Sequence, residues 1–246
     1  MADSPSGSIP EASLRLGPSA RPPEARRGRG ATANPTNRYD SAAREIFQDG
    51  DWEADAPSPL RTQVTLERTA RIIARNTSPD IPFDRSVNPY RGCEHGCIYC
   101  YARPTHAWLG LSPGLDFESR IVAKPDAARI LAREIAAPGY RPATIALGTA
   151  TDPYQPVERE HRITRAVLEV LREARHPVGI TTKSDLVLRD LDILAEMAAE
   201  NLVLVAVSLP TLDPHLARRP DPRAPRPETR LSAMRRLSEA AVPVLV

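Results

Sequence analysis

Three absences bound this sequence before any motif is read. No stretch approaches the roughly 18 apolar residues that a membrane-spanning helix needs, and Met1 to Gly30 holds no apolar run fit for a signal-peptide core. The chain is therefore expected to stay in the cytoplasm, with no membrane partner. Neither sign of charge dominates: 33 Lys and Arg stand against 31 Asp and Glu, a net of +2. An argument for nucleic acid must then rest on local clusters. No Gly-x-Gly-x-x-Gly follows a candidate strand, which weakens a dinucleotide-binding reading. Cysteine is scarce too, with three in 246 residues, all between Cys93 and Cys100. An odd, clustered set is no disulfide framework and reads as metal or cluster ligation.

What is present changes character near residue 60. Residues 1–60 carry Pro5, Pro10, Pro18, Pro22, Pro23, Pro35, Pro57 and Pro59, much Ser, Gly and Ala, and the basic run Arg26-Arg27-Gly28-Arg29. No apolar period is sustained there, so the segment cannot bury enough surface to offset its ordering entropy. It is expected to be a disordered Pro/Arg-rich segment. The basic run reads as solvated, with a nucleic-acid-contacting arm as the sharper alternative. Residues 61–246 form the expected core domain.

Within that domain strands and helices alternate. Gln63 to Ile73 suggests a strand and a short helix, and Val87-Asn88-Pro89-Tyr90 a first strand or strand edge. Helical spacing runs through Pro125 to Ala137, then Ile163 to Ala174, Asp185 to Ala199 and Pro227 to Ala241. Apolar runs at Thr144 to Leu147, Val178 to Thr182 and Leu202 to Leu209 read as strands, and Val242 to Val246 begins another. Continuous apolar strands between helices argue for an α/β fold with a parallel sheet, either doubly wound or curled like a barrel. Pro243-Val244-Leu245-Val246 reads as a core strand with no polar exit, so the sequence is expected to be a fragment.

The cysteines form Cys93-x3-Cys97-x2-Cys100 on a loop that Gly92 and Gly96 allow to turn tightly. Thiolates suit iron–sulfur clusters and zinc. A 4Fe–4S site ordinarily takes four cysteines; three leave one iron open to bind and activate another molecule. A zinc site with His95 or His106 as fourth ligand is the alternative.

Cys-x3-Cys-x-aromatic-Cys, with Tyr99 as the aromatic, resembles the radical S-adenosylmethionine (radical SAM) enzymes. Asn88-Pro89-Tyr90-Arg91-Gly92-Cys93 through Tyr101-Ala102-Arg103-Pro104 extends the likeness, as does Gly148-Thr149 to Asp152-Pro153-Tyr154-Gln155-Pro156. These stretches are similar to the photolyase-like, or spore photoproduct lyase-like, bacterial subgroup, over about Arg61 to Val246. The resemblance implies a partial (β/α)6 barrel, truncated here in its fifth strand. It also implies a 4Fe–4S cluster on Cys93, Cys97 and Cys100, whose open iron chelates S-adenosylmethionine. One electron, from a donor such as flavodoxin or ferredoxin, would release a 5′-deoxyadenosyl radical that abstracts hydrogen from a substrate, with nucleic acid the substrate class suggested. A module that binds a cluster or zinc, has nucleic-acid affinity and does not turn over is the competing function.

Barrel sites collect at the C-terminal ends of strands. That rule selects Gly148, Thr149 and Asp152, then Lys183, then Ser208. By resemblance Gly148 and Thr149 would meet the methionine amino group, and Lys183 and Ser208 its carboxylate and the ribose. Asp152 is a catalytic candidate, with Glu158 a weaker one, both alternatively helix-entry residues. Tyr99 and Tyr154 read chiefly as packing around the cluster and cofactor, with a catalytic role as a hydrogen relay the alternative. Arg218, Arg219, Arg223, Arg226 and Arg230, on the loop after the fourth strand, read as a solvated surface loop, with contact to substrate phosphates the sharper alternative. Two departures stand out: the common Gly-Gly-Glu is absent after the second strand, and no further cysteine exists to donate hydrogen as in spore photoproduct lyases.

Overall fold

Short aliphatic and β-branched runs supply nine strands among the residues 28–40 and 60–246 that the computed structural model describes. They are β1 (Gln63–Leu66), β2 (Ile73–Arg75), β3 (Arg85–Val87), β4 (Tyr90–Arg91), β5 (Arg120–Ala123), β6 (Ile145–Leu147), β7 (Val178–Thr182), β8 (Val203–Val207) and β9 (Val244–Leu245). The helices are α1 (Leu115–Ser119), α2 (Ala127–Ile135), α3 (Glu158–His161), α4 (Ile163–Glu173), α5 (Leu191–Ala199), α6 (Pro214–Ala217) and α7 (Pro227–Glu239). Tighter 3-10 turns run over Arg103–Leu109 and Asp185–Asp190.

The principal sheet has the order β2-β3-β6-β7-β8-β9. β2 runs antiparallel to β3, and the remaining neighbours are parallel. From β3 onward, spatial order follows chain order. Each helix-and-strand unit adds a strand on the same side, without the reversal that marks a doubly wound sheet. The sheet is open, with β2 and β9 at its edges; no pairing closes it into a barrel among the described residues. A second sheet, β1-β5-β4, pairs β1 parallel and β4 antiparallel to β5.

The core lies between the principal sheet and its helices. The strands contribute Val87, Ile145, Leu147, Val178, Ile180, Val205 and Val207; α4 lays Ile163, Val167, Leu168 and Leu171 against them. These are i, i+4, i+5 and i+8 positions of one helical face. Each such side chain taken fully from water stabilises the fold by roughly 1.5–3 kcal/mol.

Three expectations are corrected. The short helix expected before Ile73 does not form. The amides of Ile72 and Ile73 donate instead to the Glu134 carboxylate of α2 (3.2 and 2.9 Å), which holds this stretch extended. The helix expected over Asp185 to Ala199 starts as a 3-10 turn, capped by Ser184 Oγ accepting from the Leu186 amide (3.2 Å). Third, residues 28–40 are built against the domain by buried hydrogen bonds, so disorder does not extend over that part of residues 1–60. Arg26 and Arg27, and the rest of the expected disordered segment apart from Leu60, lie outside the described residues. Arg29 is not simply solvated: it donates to the carbonyls of Glu118 and Leu60 (2.7 Å each).

Candidate functional site

Parallel strands bring their C-terminal ends to one edge, and the chain leaving each end bonds to the next. After β3, Asn88 Oδ1 accepts from the Ala150 amide (3.0 Å), and its Nδ2 donates to Thr149 Oγ1 (3.1 Å) beyond β6. Asp152 then spans to β7. Its Oδ1 accepts from Thr182 Oγ1 (2.7 Å) and the Tyr154 amide (2.9 Å), and its Oδ2 from the Lys183 amide (2.7 Å). The Ser208 amide, past β8, donates to the Thr182 carbonyl (2.9 Å). Gly148, Thr149, Asp152, Lys183 and Ser208 thus fall along one continuous edge. Gly148 is required there: its φ is +97°, and a Cβ would stand 2.2 Å from the Thr181 carbonyl oxygen of β7.

The cysteine loop leaves β4 and folds over this edge. Cys93 and Cys97 are buried, Cys100 is partly exposed, and all three are free thiols. Polar contacts fix the loop on each side. His95, buried, sits with Nδ1 3.2 Å from Asp152 Oδ2 in an ion-pair contact without hydrogen-bond alignment. Burial alone would lower the His95 pKa. The Asp152 and Cys93 charges outweigh it and raise the value to about 10, while Asp152 is held below the usual carboxylate range. The Glu94 amide donates to Gln155 Oε1 (3.0 Å). The Glu94 carboxylate accepts from Thr62 Oγ1 (2.5 Å) and the Val157 amide (2.9 Å), and Arg223 Nη2 stands 3.4 Å away.

The loop after β8 closes the far side. The Ile98 amide donates to the Pro220 carbonyl (3.0 Å), and the Arg223 amide to the His95 carbonyl (3.3 Å). Asp221 accepts from Tyr99 Oη (2.8 Å) and from Arg230 Nη2 (3.1 Å), and Arg230 Nη1 reaches the Ser208 carbonyl (2.8 Å). Lys183 Nζ lies 5.4 Å from the centre of the Tyr99 ring. Burial pushes the Cys97 thiol well up, with Asp221 and Cys93 adding to the effect, and burial raises Cys100 as well. Without a cation Cys97 and Cys100 are therefore held as neutral thiols, and metal binding must displace their protons.

The predicted residues separate into two groups. Tyr99 stands at the open face, about half exposed. Tyr154 is fully buried in the main core, with Arg189 5.9 Å from its ring centre. Glu158 is likewise fully buried, bonded to Tyr90 Oη, the Thr164 amide (3.1 Å) and Arg189 Nη2 (2.7 Å). Asp152 uses both carboxylate oxygens on its neighbours and acts as a brace. Of the five arginines singled out for phosphate contact, Arg230 is buried against Asp221 and Arg223 meets Glu94. Arg218, Arg219 and Arg226 are exposed and form no ion pair among the described residues.

Sequence reasoning missed Arg103, Glu118, Asp221 and Gln155. Arg103 follows the last cysteine by three residues and was legible as part of the motif. Gln155 likewise lies in a stretch that carried the resemblance, whereas Glu118 and Asp221 lie outside those stretches and no spacing rule reaches them.

The residues fit an iron–sulfur cluster. Cys93, Cys97 and Cys100 are free thiols on one loop, two of them buried. The histidines that a zinc site would need are engaged: His95 faces Asp152, and His106 Nε2 donates to the Arg120 carbonyl (3.0 Å).

Comparison with known proteins agrees with this geometry. Residues 87–246 match the family model described as Radical SAM superfamily. The uncharacterized protein Rv2578c of Mycobacterium tuberculosis is 41% identical over 188 residues, 75% of this chain and 55% of that one. The uncharacterized protein MJ0683 of Methanocaldococcus jannaschii is 28% identical over 156 residues, 63% of this chain and 56% of that one. The chain thus spans about half the length of these relatives. Among solved structures, spore photoproduct lyase complexed with dinucleoside spore photoproduct has a similar fold, with a TM-score of 0.50 and 16% identity over 74% of this chain and 48% of that one. A variant of the same lyase with bound AdoMet and dinucleoside spore photoproduct aligns equally well, at 15% identity. No helix among the described residues is long and apolar enough to cross a membrane.

Proposed function

Because the chain belongs to the radical SAM superfamily, we propose that Cys93, Cys97 and Cys100 hold a 4Fe–4S cluster and that the chain binds S-adenosylmethionine beside it. When bound, such a cluster would supply one-electron reductive cleavage of S-adenosylmethionine for hydrogen-atom abstraction from a substrate. The observation that carries this reading is the set of three free thiols at the C-terminal edge of the parallel strands, in a chain with no fourth cysteine. The five parallel strands β3, β6, β7, β8 and β9 would be wall strands of a (β/α)6 barrel.

The remaining roles fall to the chain's own side chains. Gly148 lets the chain turn at the end of β6, leaving room for the amino group of the methionine moiety, with Thr149 beside it. Lys183, half-buried beside Tyr99, supplies a positive charge for the carboxylate. Ser208 offers its hydroxyl to the ribose. Asp152 holds His95 and the Lys183 amide in register and does not move a proton itself. Tyr99, at the open face, is the tyrosine positioned to meet substrate. The electron donor would be a small flavin or iron–sulfur protein such as flavodoxin or ferredoxin. Nucleic acid is the proposed substrate class, in view of the dinucleoside named for the solved lyase. Exposed Arg218, Arg219 and Arg226 are the cations to meet its phosphates.

Anaerobic reconstitution with iron and sulfide, followed by dithionite and S-adenosylmethionine, tests the core of this. The expected product is 5′-deoxyadenosine, absent from Cys97→Ala. Stoichiometric zinc without iron would overturn the reading and favour a binding module.

A further inference from the structure

Residues 28–37 lie across the cysteine loop, and one buried carboxylate ties the two together. Glu118 of α1 is fully buried. Its Oε2 accepts from the Gly30 amide (3.0 Å), and its Oε1 from the Ala31 amide (2.8 Å) and Arg103 Nη2 (2.6 Å). That guanidinium also donates to the loop itself, from Nη2 to the carbonyls of Gly96 (3.0 Å) and Cys97 (2.9 Å), and from Nε to Cys97 (3.0 Å). The contact is backbone against backbone. A Cβ on Gly30 would stand 1.9 Å from the Gly96 carbonyl oxygen, and one on Gly96 would stand 2.6 Å from Glu118 Oε2. Further along, Asn34 and Asp116 exchange hydrogen bonds (2.9 and 2.8 Å), and Asn37 Nδ2 donates to the Ala107 carbonyl (2.9 Å). The segment lies outside residues 87–246, which carry the family match.

We propose that residues 28–37 are a strap that holds Gly96 and Cys97 in the ligating arrangement through the positioning residues Glu118 and Arg103, and so slows loss of iron from the bound cluster. The inference rests on the cluster reading above. Its physical basis is local opening. Freeing the ligand that follows Gly96 requires the loop to part from Arg103, leaving cation and carboxylate with unmatched buried hydrogen-bonding groups. Three protein ligands give the cluster little redundancy, so the opening frequency of the loop sets how long iron is retained.

The test uses the full chain and three variants. Gly30→Val drives the strap off by steric conflict. Asn37→Ala releases its far end without touching the loop. Glu118→Gln keeps an acceptor but removes the charge. Two quantities are read: amide exchange over residues 94–100 in the cluster-free chain, and the rate of iron transfer to a chelator from the anaerobically reconstituted chain. Gly30→Val is expected to raise both by roughly tenfold or more, and Asn37→Ala and Glu118→Gln to raise both by smaller factors, with the core amides of β7 and β8 still protected. The proposal is overturned by unchanged loop exchange or iron release in Gly30→Val and Glu118→Gln, or by strap amides that exchange freely in the parent chain. Should Gly30→Val not fold, the other two variants decide on the same criteria. Should the parent chain take up no cluster, the cluster reading fails by itself, while loop exchange still reports whether the strap holds the loop.

Discussion

Arg230 sits almost fully buried, and each of its three guanidinium nitrogens donates to one loop: to the Pro225 and Ser208 carbonyls and the Asp221 carboxylate. Removing one partner of such a pair leaves the other charged and buried. Arg230→Met is therefore expected to destabilise the fold by about 3–5 kcal/mol, read from urea unfolding; a loss within experimental error would mean that Asp221 is satisfied by Tyr99 alone. Two histidines set an acid limit. His176 Nδ1 must donate to the Pro177 carbonyl (3.0 Å), so neutral Nε2 accepts from Tyr140 Oη (2.8 Å). Burial depresses His176 and His106 below the ordinary histidine value. The unfolded chain then binds these protons more readily. Their contribution is complete above about pH 6.5 and is lost as pH falls from there toward the folded-state values. Unfolding midpoints of the cluster-free chain should drop on acidification, and His176→Gln should flatten that slope. An equal slope in the variant would assign the acid sensitivity elsewhere.

At the scale of elements, β6 ends where it does because Gly148 lets the chain pass under the Thr181 carbonyl. Gly148→Ala combines a positive φ with a backbone collision. It is expected to cost more than about 1 kcal/mol and to weaken S-adenosylmethionine binding by distorting Thr149; calorimetric titration and thermal unfolding read the two effects. This position was legible in sequence as a glycine after an apolar run. So were β7, whose Val178 to Thr182 bounds match, and the apolar face of α4. The small sheet was not. β5 is four residues of mixed polarity directly after α1, and its partners lie 57 positions away on one side (Gln63↔Arg120) and 31 and 33 positions away on the other (Arg91↔Val122 and Tyr90↔Ala123). Local pattern carries no information about such a pairing. The strap was missed for a related reason: its Pro- and Gly-rich composition reads as disorder, and it is ordered by a carboxylate some 88 residues away.

For the whole molecule, cluster and fold should be linked by mass action. A group that binds only the folded chain raises its stability by RT ln(1 + [L]/Kd). The reconstituted chain is expected to unfold at higher temperature than the cluster-free chain, with the difference lost in Cys97→Ala. Equal melting temperatures would show that the loop moves independently of the sheet. The chemistry of the site was readable from three cysteines and their spacing. The partners that hold them, Asp152 with Gln155, Glu118 and Asp221, come from three separate regions, and only the folded chain unites them.

The pairing of β4 with β5 bears on the order in which the holoprotein is made. Both ends of the excursion from Gly92 to Ser119 are anchored by that pairing, with the Cys93 amide on the Phe117 carbonyl (2.9 Å) and the Lys124 amide on the Pro89 carbonyl (3.0 Å). None of these bonds involves a thiol. The polypeptide can finish folding first and present its thiols on a loop tethered at both ends. Maturation would then be a late step on a finished scaffold, and iron starvation would leave folded, rescuable protein in place of aggregate.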